Sequence, residues 1–154
     1  SQKQAMSKIA ITDVCSHYYG TKYLDMDSET ETREMAVKTL IKKDTPVPVE
    51  VSETFYTVHE DQDSVRIEIT QSMEDVSDPE FVMVVHEGTF ELPKGSPTQQ
   101  PIKVTYRYTE NSTMEAEFLD VNSKRKYLAN LDLKSIGGST AELSAGVSDF
   151  EIED

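Results

Sequence analysis

At 154 residues, 36% hydrophobic and 29% charged, the chain has the size of one domain. It is long enough to bury about 70% of the surface its unfolded form exposes, and so to hold a core without disulfides or metal. Its 29 acidic and 15 basic residues leave a net charge of −14, which excludes the basic footprint of a nucleic-acid-binding or membrane-surface protein.

Residues 1–10 read as a polar, disordered N-terminal segment without the pattern of a secretory leader. No apolar run approaches the ~20 residues of a membrane-spanning helix. Apolar alternation at period two dominates from residue 11 to 133, the mark of half-buried strands. Ile11–Tyr19 and Ala36–Ile41 are the first two candidates. The acidic stretch 25–34 between them reads as a loop. Phe55–His59 and Val65–Ile69, joined across the polar turn Glu60–Asp63, read as a hairpin. Phe81–Val85 is apolar at consecutive positions and suggests a strand buried on both faces, with Phe90 and Leu92 close behind. Residues 93–101 read as loop.

The clearest pattern follows. Ile102, Val104, Tyr106 and Tyr108 alternate with Lys103, Thr105 and Arg107. After a turn at Glu110–Thr113 come Met114, Ala116 and Phe118 on one face. Leu119 and Val121 break the parity, so a bulge or strand end is expected near Phe118–Asp120. A second turn at Asn122–Lys124 leads to Tyr127, Ala129, Leu131 and Leu133. Residues 101–133 thus form a three-stranded meander. Residues 134–154 read as an acidic, mostly disordered tail with one helical turn near Thr140–Ala145. About eight short antiparallel strands at this spacing predict an all-β, two-sheet sandwich.

Little in the chain suggests catalysis. Asp25, Asp27, Glu29 and Glu31 alternate like calcium-loop ligands, but the mid-loop glycine and late bidentate glutamate are missing, so a solvated loop is expected. His17, His59 and His86 are dispersed and fit no metal or triad spacing. Cys15 reads as a buried structural thiol in a reducing, cytoplasmic setting. Tyr56, Tyr106, Tyr108 and Tyr127 fall in alternating strands and are expected to pack. The residues alone describe a non-enzymatic binding module, which can take a peptide on a sheet edge or in an apolar groove between loops.

The order of several segments adds a resemblance. Leu40-Ile41-Lys42-Lys43-Asp44-Thr45-Pro46-Val47-Pro48 is similar to a stretch of the DnaK-type 70-kDa heat-shock chaperones. So are Phe55-x-Thr57, Asp61-Gln62, Val65-x-Ile67-x-Ile69 with Gln71, Phe90-x-Leu92, and Pro101-Ile102-Lys103-Val104-Thr105-Tyr106. Asn111-x-x-Met114-x-Ala116 and Asp13-Val14 with Gly20 complete the series, which spans residues 11–133. The chain departs from the family in three places: a longer acidic insertion between Gly20 and Leu40, Thr21 where an aliphatic is usual, and a shorter loop after Leu92.

The resemblance implies the family's polypeptide-binding β-subdomain, whose loops cradle an extended, apolar-rich peptide. Carried over by position, the cleft residues are Thr21, Tyr23 and Leu24 from the first strand and its loop, and Val58, Val65 and Ile67 from the second hairpin. Unfolded polypeptides, the parent protein's own nucleotide-binding domain and co-chaperones are the implied partners. No cofactor is expected in this chain, because ATP belongs to a nucleotidase domain outside it; nor is a helical lid. Two other readings stay open: an interaction or structural sandwich that associates through a strand edge, and a carbohydrate-binding sandwich using Tyr106 or Tyr108.

Overall fold

The computed structural model describes residues 13–27, 32–57, 62–95, 99–136 and 151–153. In chain order the strands are β1 (Tyr18–Asp27), β2 (Thr32–Ile41), β3 (Val49–Tyr56), β4 (Ser64–Ser72), β5 (Met83–Glu91), β6 (Pro101–Tyr108), β7 (Thr113–Asp120), β8 (Lys126–Asp132) and the short β9 (Glu151–Glu153). A 3-10 turn covers Pro79–Phe81, and one helical turn, α1, covers Leu133–Ile136. One sheet runs β2-β1-β4-β5 and the other β3-β6-β7-β8-β9, with every pairing antiparallel. The protein is therefore an all-β, two-sheet sandwich. Among the described residues no helix is long and apolar enough to cross a membrane.

The alternation explains the core. Ile102, Val104, Tyr106 and Tyr108 of β6, Met114, Ala116 and Phe118 of β7, and Tyr127, Ala129 and Leu131 of β8 are all buried. They meet Tyr19, Ile67, Ile69 and Phe90 of the facing sheet in one cluster. Between the layers, the Tyr106 hydroxyl donates to the Gly20 carbonyl at 2.6 Å. The meander over 101–133 is as expected, and β7 ends at Asp120, up to which the inward alternation runs unbroken. There the buried Asp120 carboxylate accepts the Asn122 N–H at 3.1 Å and the Ser123 hydroxyl, closing the turn into β8. Cys15 is buried and unpaired. Burial pushes its thiol up to about 11, which keeps it protonated and inert near neutral pH.

Several expectations need correction. The hairpin of Phe55–His59 with Val65–Ile69 does not form, because β3 belongs to one sheet and β4 to the other. Alternation shows which face of a strand is apolar, not which strand lies beside it. β3 also starts earlier, at Val49. Phe81–Val85 is not a doubly buried strand: Asp78 caps the 3-10 turn by accepting the Glu80 N–H, Phe81 is 69% exposed, and β5 begins only at Met83. β5 then runs on through Phe90. Val14 makes only an isolated bridge to Pro46, so the first strand begins at Tyr18.

Within the acidic stretch 25–34, residues 25–27 and 32–34 are strand, not loop. Asp25 pairs with Glu34 and Asp27 with Thr32, since ladder hydrogen bonds need only backbone groups. The chain's last residues pair with Lys126–Leu128 of β8 as a ninth strand, where only tail was expected. The expected helical turn at Thr140–Ala145 and the segment 1–10 lie outside the described residues. Tyr56 is 61% exposed, unlike the other three strand tyrosines.

One buried polar pair joins the two sheets. On the inner face Val65, Ile67 and Ile69 stand opposite Phe90, Gly88 and His86. Tyr127 reaches across into the notch that Gly88 leaves, and His86 Nε2 hydrogen-bonds its hydroxyl at 2.7 Å. Burial lowers the His86 pKa from 6.5 to about 4. The unfolded chain therefore takes up this proton below about pH 6.5, while the folded chain refuses it until about pH 4. Stability from this site is complete above pH 6.5 and drains away as the pH falls toward 4. At ~1.4 kcal/mol per unit the loss is on the order of 3 kcal/mol. Denaturant titrations at pH 7 and pH 4.5 should show a smaller acid-induced loss in His86→Gln than in the parent. Equal losses would remove His86 as the cause.

Candidate functional site

The sheet containing β1 and β4 is forked. β1 pairs with β4 only from Tyr18 to Thr21, against Ile69–Ser72, yet it stays paired with β2 as far as Asp27. Residues 22–27 and 32–37 thus leave the sheet as a two-stranded ribbon. On the other side of the fork, Ser64–Glu68 of β4 pair with β5 alone. The crotch is bridged by the Thr21 hydroxyl, which donates to the Glu68 carbonyl at 3.4 Å, and by Lys22 Nζ, 3.1 Å from Glu68 Oε2. The ribbon leans on the opposite sheet, where the Tyr23 ring lies 5.4 Å from that of Phe55.

A cleft of about 560 Å³ opens at this fork. Thr21, Tyr23 and Leu24 of β1 and Met35 and Lys38 of β2 form one wall, Val65 and Arg66 of β4 another, and Ile102, Val104 and Phe118 the floor. The remaining wall is the end of β3, from Glu53 through Thr57. Thr57 is held firmly: it donates its N–H to the Gln100 carbonyl at 3.1 Å, its own carbonyl accepts from Gln99 at 2.8 Å, and its side-chain oxygen accepts from Gln100 N–H at 2.9 Å. Among the wall's charges, Arg66 pairs with Glu87 at 2.7 Å and Glu68 at 3.3 Å.

β3 ends its sheet, and its backbone phase follows from two bonds. In an antiparallel ladder each residue turns its N–H and C=O to the same side, alternating along the strand. Thr57 donates to Gln100, and Val121 donates to the Pro101 carbonyl at 3.2 Å. Ile102, Val104, Tyr106 and Tyr108 therefore face β3, where Phe55, Glu53, Val51 and Val49 answer them. Glu50, Ser52, Thr54 and Tyr56 turn their backbone groups the other way, off the open edge. Pro101, which has no N–H to offer, stands opposite Tyr56, where none is required. Three stretches of strand edge thus border the cleft: 22–24, 64–68 and 54–56.

Of the residues expected at a peptide site, Thr21, Tyr23, Leu24 and Val65 line this cleft. Ile67 does not reach it; at 1% exposure it lies in the core opposite Gly88. Val58 lies outside the described residues. Phe55, Met35, Lys38, Arg66 and Phe118 were not expected there. Phe55 had a signal, since it continues the inward alternation of Val49 and Val51. Met35, 46% exposed on β2, had none. Asp25 and Asp27 lie within a strand, and no group of three metal-ligating side chains occurs among the described residues.

Fold and cleft together define an antiparallel β-sandwich with a forked sheet that opens onto an apolar cleft bordered by strand edges. No protein-family model matches the chain.

Proposed function

We propose that this domain holds extended, apolar-rich polypeptide segments in the cleft, as the substrate-binding part of a DnaK-like chaperone. The observation that carries the reading is the fork: it leaves backbone donors and acceptors along the rim of an apolar cavity, which is what a peptide in extended form requires. A leucine or isoleucine side chain set against Tyr23, Phe55 and Val65 gains ~1.5–3 kcal/mol from burial. Each main-chain hydrogen bond to a rim strand adds about 0.5–1.5 kcal/mol. The net charge of −14 favours encounter with peptides that have basic flanks. Affinity is expected on the order of 10 μM or weaker, since nothing in this reading slows dissociation. Capture and release would be driven by an ATPase domain of the parent protein, with co-chaperones as further partners. The buried, unpaired thiol of Cys15 suits a cytoplasmic location.

A labelled nonapeptide with a central leucine and terminal lysines tests the reading. Fluorescence anisotropy should give saturable binding. N-methylation of alternate peptide nitrogens on the strand-facing side should weaken it about tenfold, the equivalent of one lost hydrogen bond of ~1.4 kcal/mol. Binding that ignores N-methylation would mean that the rim strands contribute no main-chain bonds. No binding at millimolar peptide would favour the rival, an interaction sandwich that associates through its strand edges.

A further inference from the structure

A second concave surface lies beside the connection between β4 and β5. We propose that it is a docking site for a segment of another polypeptide that carries an apolar anchor between lysine or arginine residues. The site is independent of the cleft and does not rest on the chaperone reading.

The groove has a volume of about 570 Å³. Met73, Phe81 and Met83 all line it, and they are 56%, 69% and 40% exposed. Large apolar side chains gathered in one groove are uncommon on the surface of a soluble domain and mark interaction sites. Two of the three are methionines, whose flexible, polarisable side chains adapt to an incoming apolar group.

The exposure is not the result of a slack loop. The Val37 N–H donates to the Ser77 carbonyl at 2.9 Å, which fastens the connection to β2. The Thr39 hydroxyl donates to Asp75 Oδ1 at 3.0 Å, and the Ser72 hydroxyl to the Glu74 carbonyl at 2.7 Å. Asp78 accepts from the N–H groups of Glu80 at 2.9 Å and Phe81 at 3.1 Å. Phe81 is therefore presented on a pinned turn, and binding would cost little ordering entropy.

Charge selects the partner. Glu74 and Glu80 line the groove, and Asp75 and Asp78 belong to the same ten-residue connection, residues 73–82, which contains no lysine or arginine. On the far side lies His17, near Lys43. β5 leaves the groove as the end strand of its sheet, with Glu87 and Glu91 exposed along it. An acidic segment would be repelled by four carboxylates, whereas a basic one gains contact and encounter rate together.

The test uses the full chain and two labelled octapeptides, each with a central Leu-Phe pair and flanked either by lysines or by glutamates. Backbone amide shifts on addition of the lysine-flanked probe should move at His17 and Met73–Met83. Phe81→Ser, at an exposed position, should lower the affinity at that site at least tenfold, and Glu74→Lys with Glu80→Lys should do the same. Shifts at the groove without shifts at Thr21–Leu24 support this proposal and count against the cleft reading. Shifts confined to the cleft, equal binding of the glutamate-flanked probe, or affinities unchanged in both variants would overturn it. So would shifts that appear only after residues 1–12 are removed, because the groove would then belong to the chain's own amino-terminal segment.

Discussion

Gly20→Ala is expected to destabilise the protein by about 3 kcal/mol or more. Gly20 sits where β1 has β2 on one side and β4 on the other. A Cβ there would lie 2.4 Å from the Lys38 carbonyl oxygen and 3.0 Å from its carbon. Both are backbone atoms of the neighbouring strand, so no rotamer change relieves the clash. Either β2 moves away or β1 bends. Bending also pulls the Gly20 carbonyl from the Tyr106 hydroxyl, a buried bond between the sheets. Overpacking of a tight site costs ~1–3 kcal/mol, and a lost buried hydrogen bond about 1 kcal/mol more. For a chain of this size the midpoint of thermal unfolding should fall by roughly 6–12 °C. A variant that melts within about 2 °C of the parent would show that the strands separate at little cost.

The second large effect is on binding. Val65→Phe is expected to reduce peptide affinity at least tenfold while leaving the melting temperature nearly unchanged. Val65 stands opposite Phe90 on β4 and packs partly on the core, but its outer side lines the cleft. The added ring volume enters about 560 Å³ of open space, so it avoids the ~1–3 kcal/mol of a closed core. It fills the place a peptide side chain would take. Anisotropy and a thermal melt on the same sample separate the outcomes. Undiminished binding means that the peptide lies elsewhere, and unfolding means that Val65 is core. Association through the strand edges alone would survive this substitution.

Legibility in the sequence followed physical lines. β6, β7 and β8 were plain because their two faces differ so sharply: Ile102, Val104 and Tyr106 against Lys103 and Arg107. Pairing between strands was not plain, because an inward-facing valine is equally suited to either neighbour. Phe55–His59 and Val65–Ile69 have the alternation and the turn of a hairpin, yet the chain crosses between sheets there. Phe81 failed for another reason: composition makes it apolar, but Asp78 and Pro79 fix a turn that faces it outward. Four of the six expected site residues meet at the cleft because chain order carries them there. The fork itself has no sequence signal, since it depends on where β1 stops pairing with β4. Hence Phe55 and Met35 went unseen, and Ile67 was placed at a surface it does not reach.

The most direct measurement is a map of backbone amide shifts on titrating the protein with the leucine-centred, lysine-ended peptide. Occupation of the cleft predicts shifts along three strand edges at once, at Lys22–Leu24, Ser64–Glu68 and Thr54–Tyr56, saturating with one affinity. Shifts that spare these edges, or a spectrum unchanged at millimolar peptide, would contradict it.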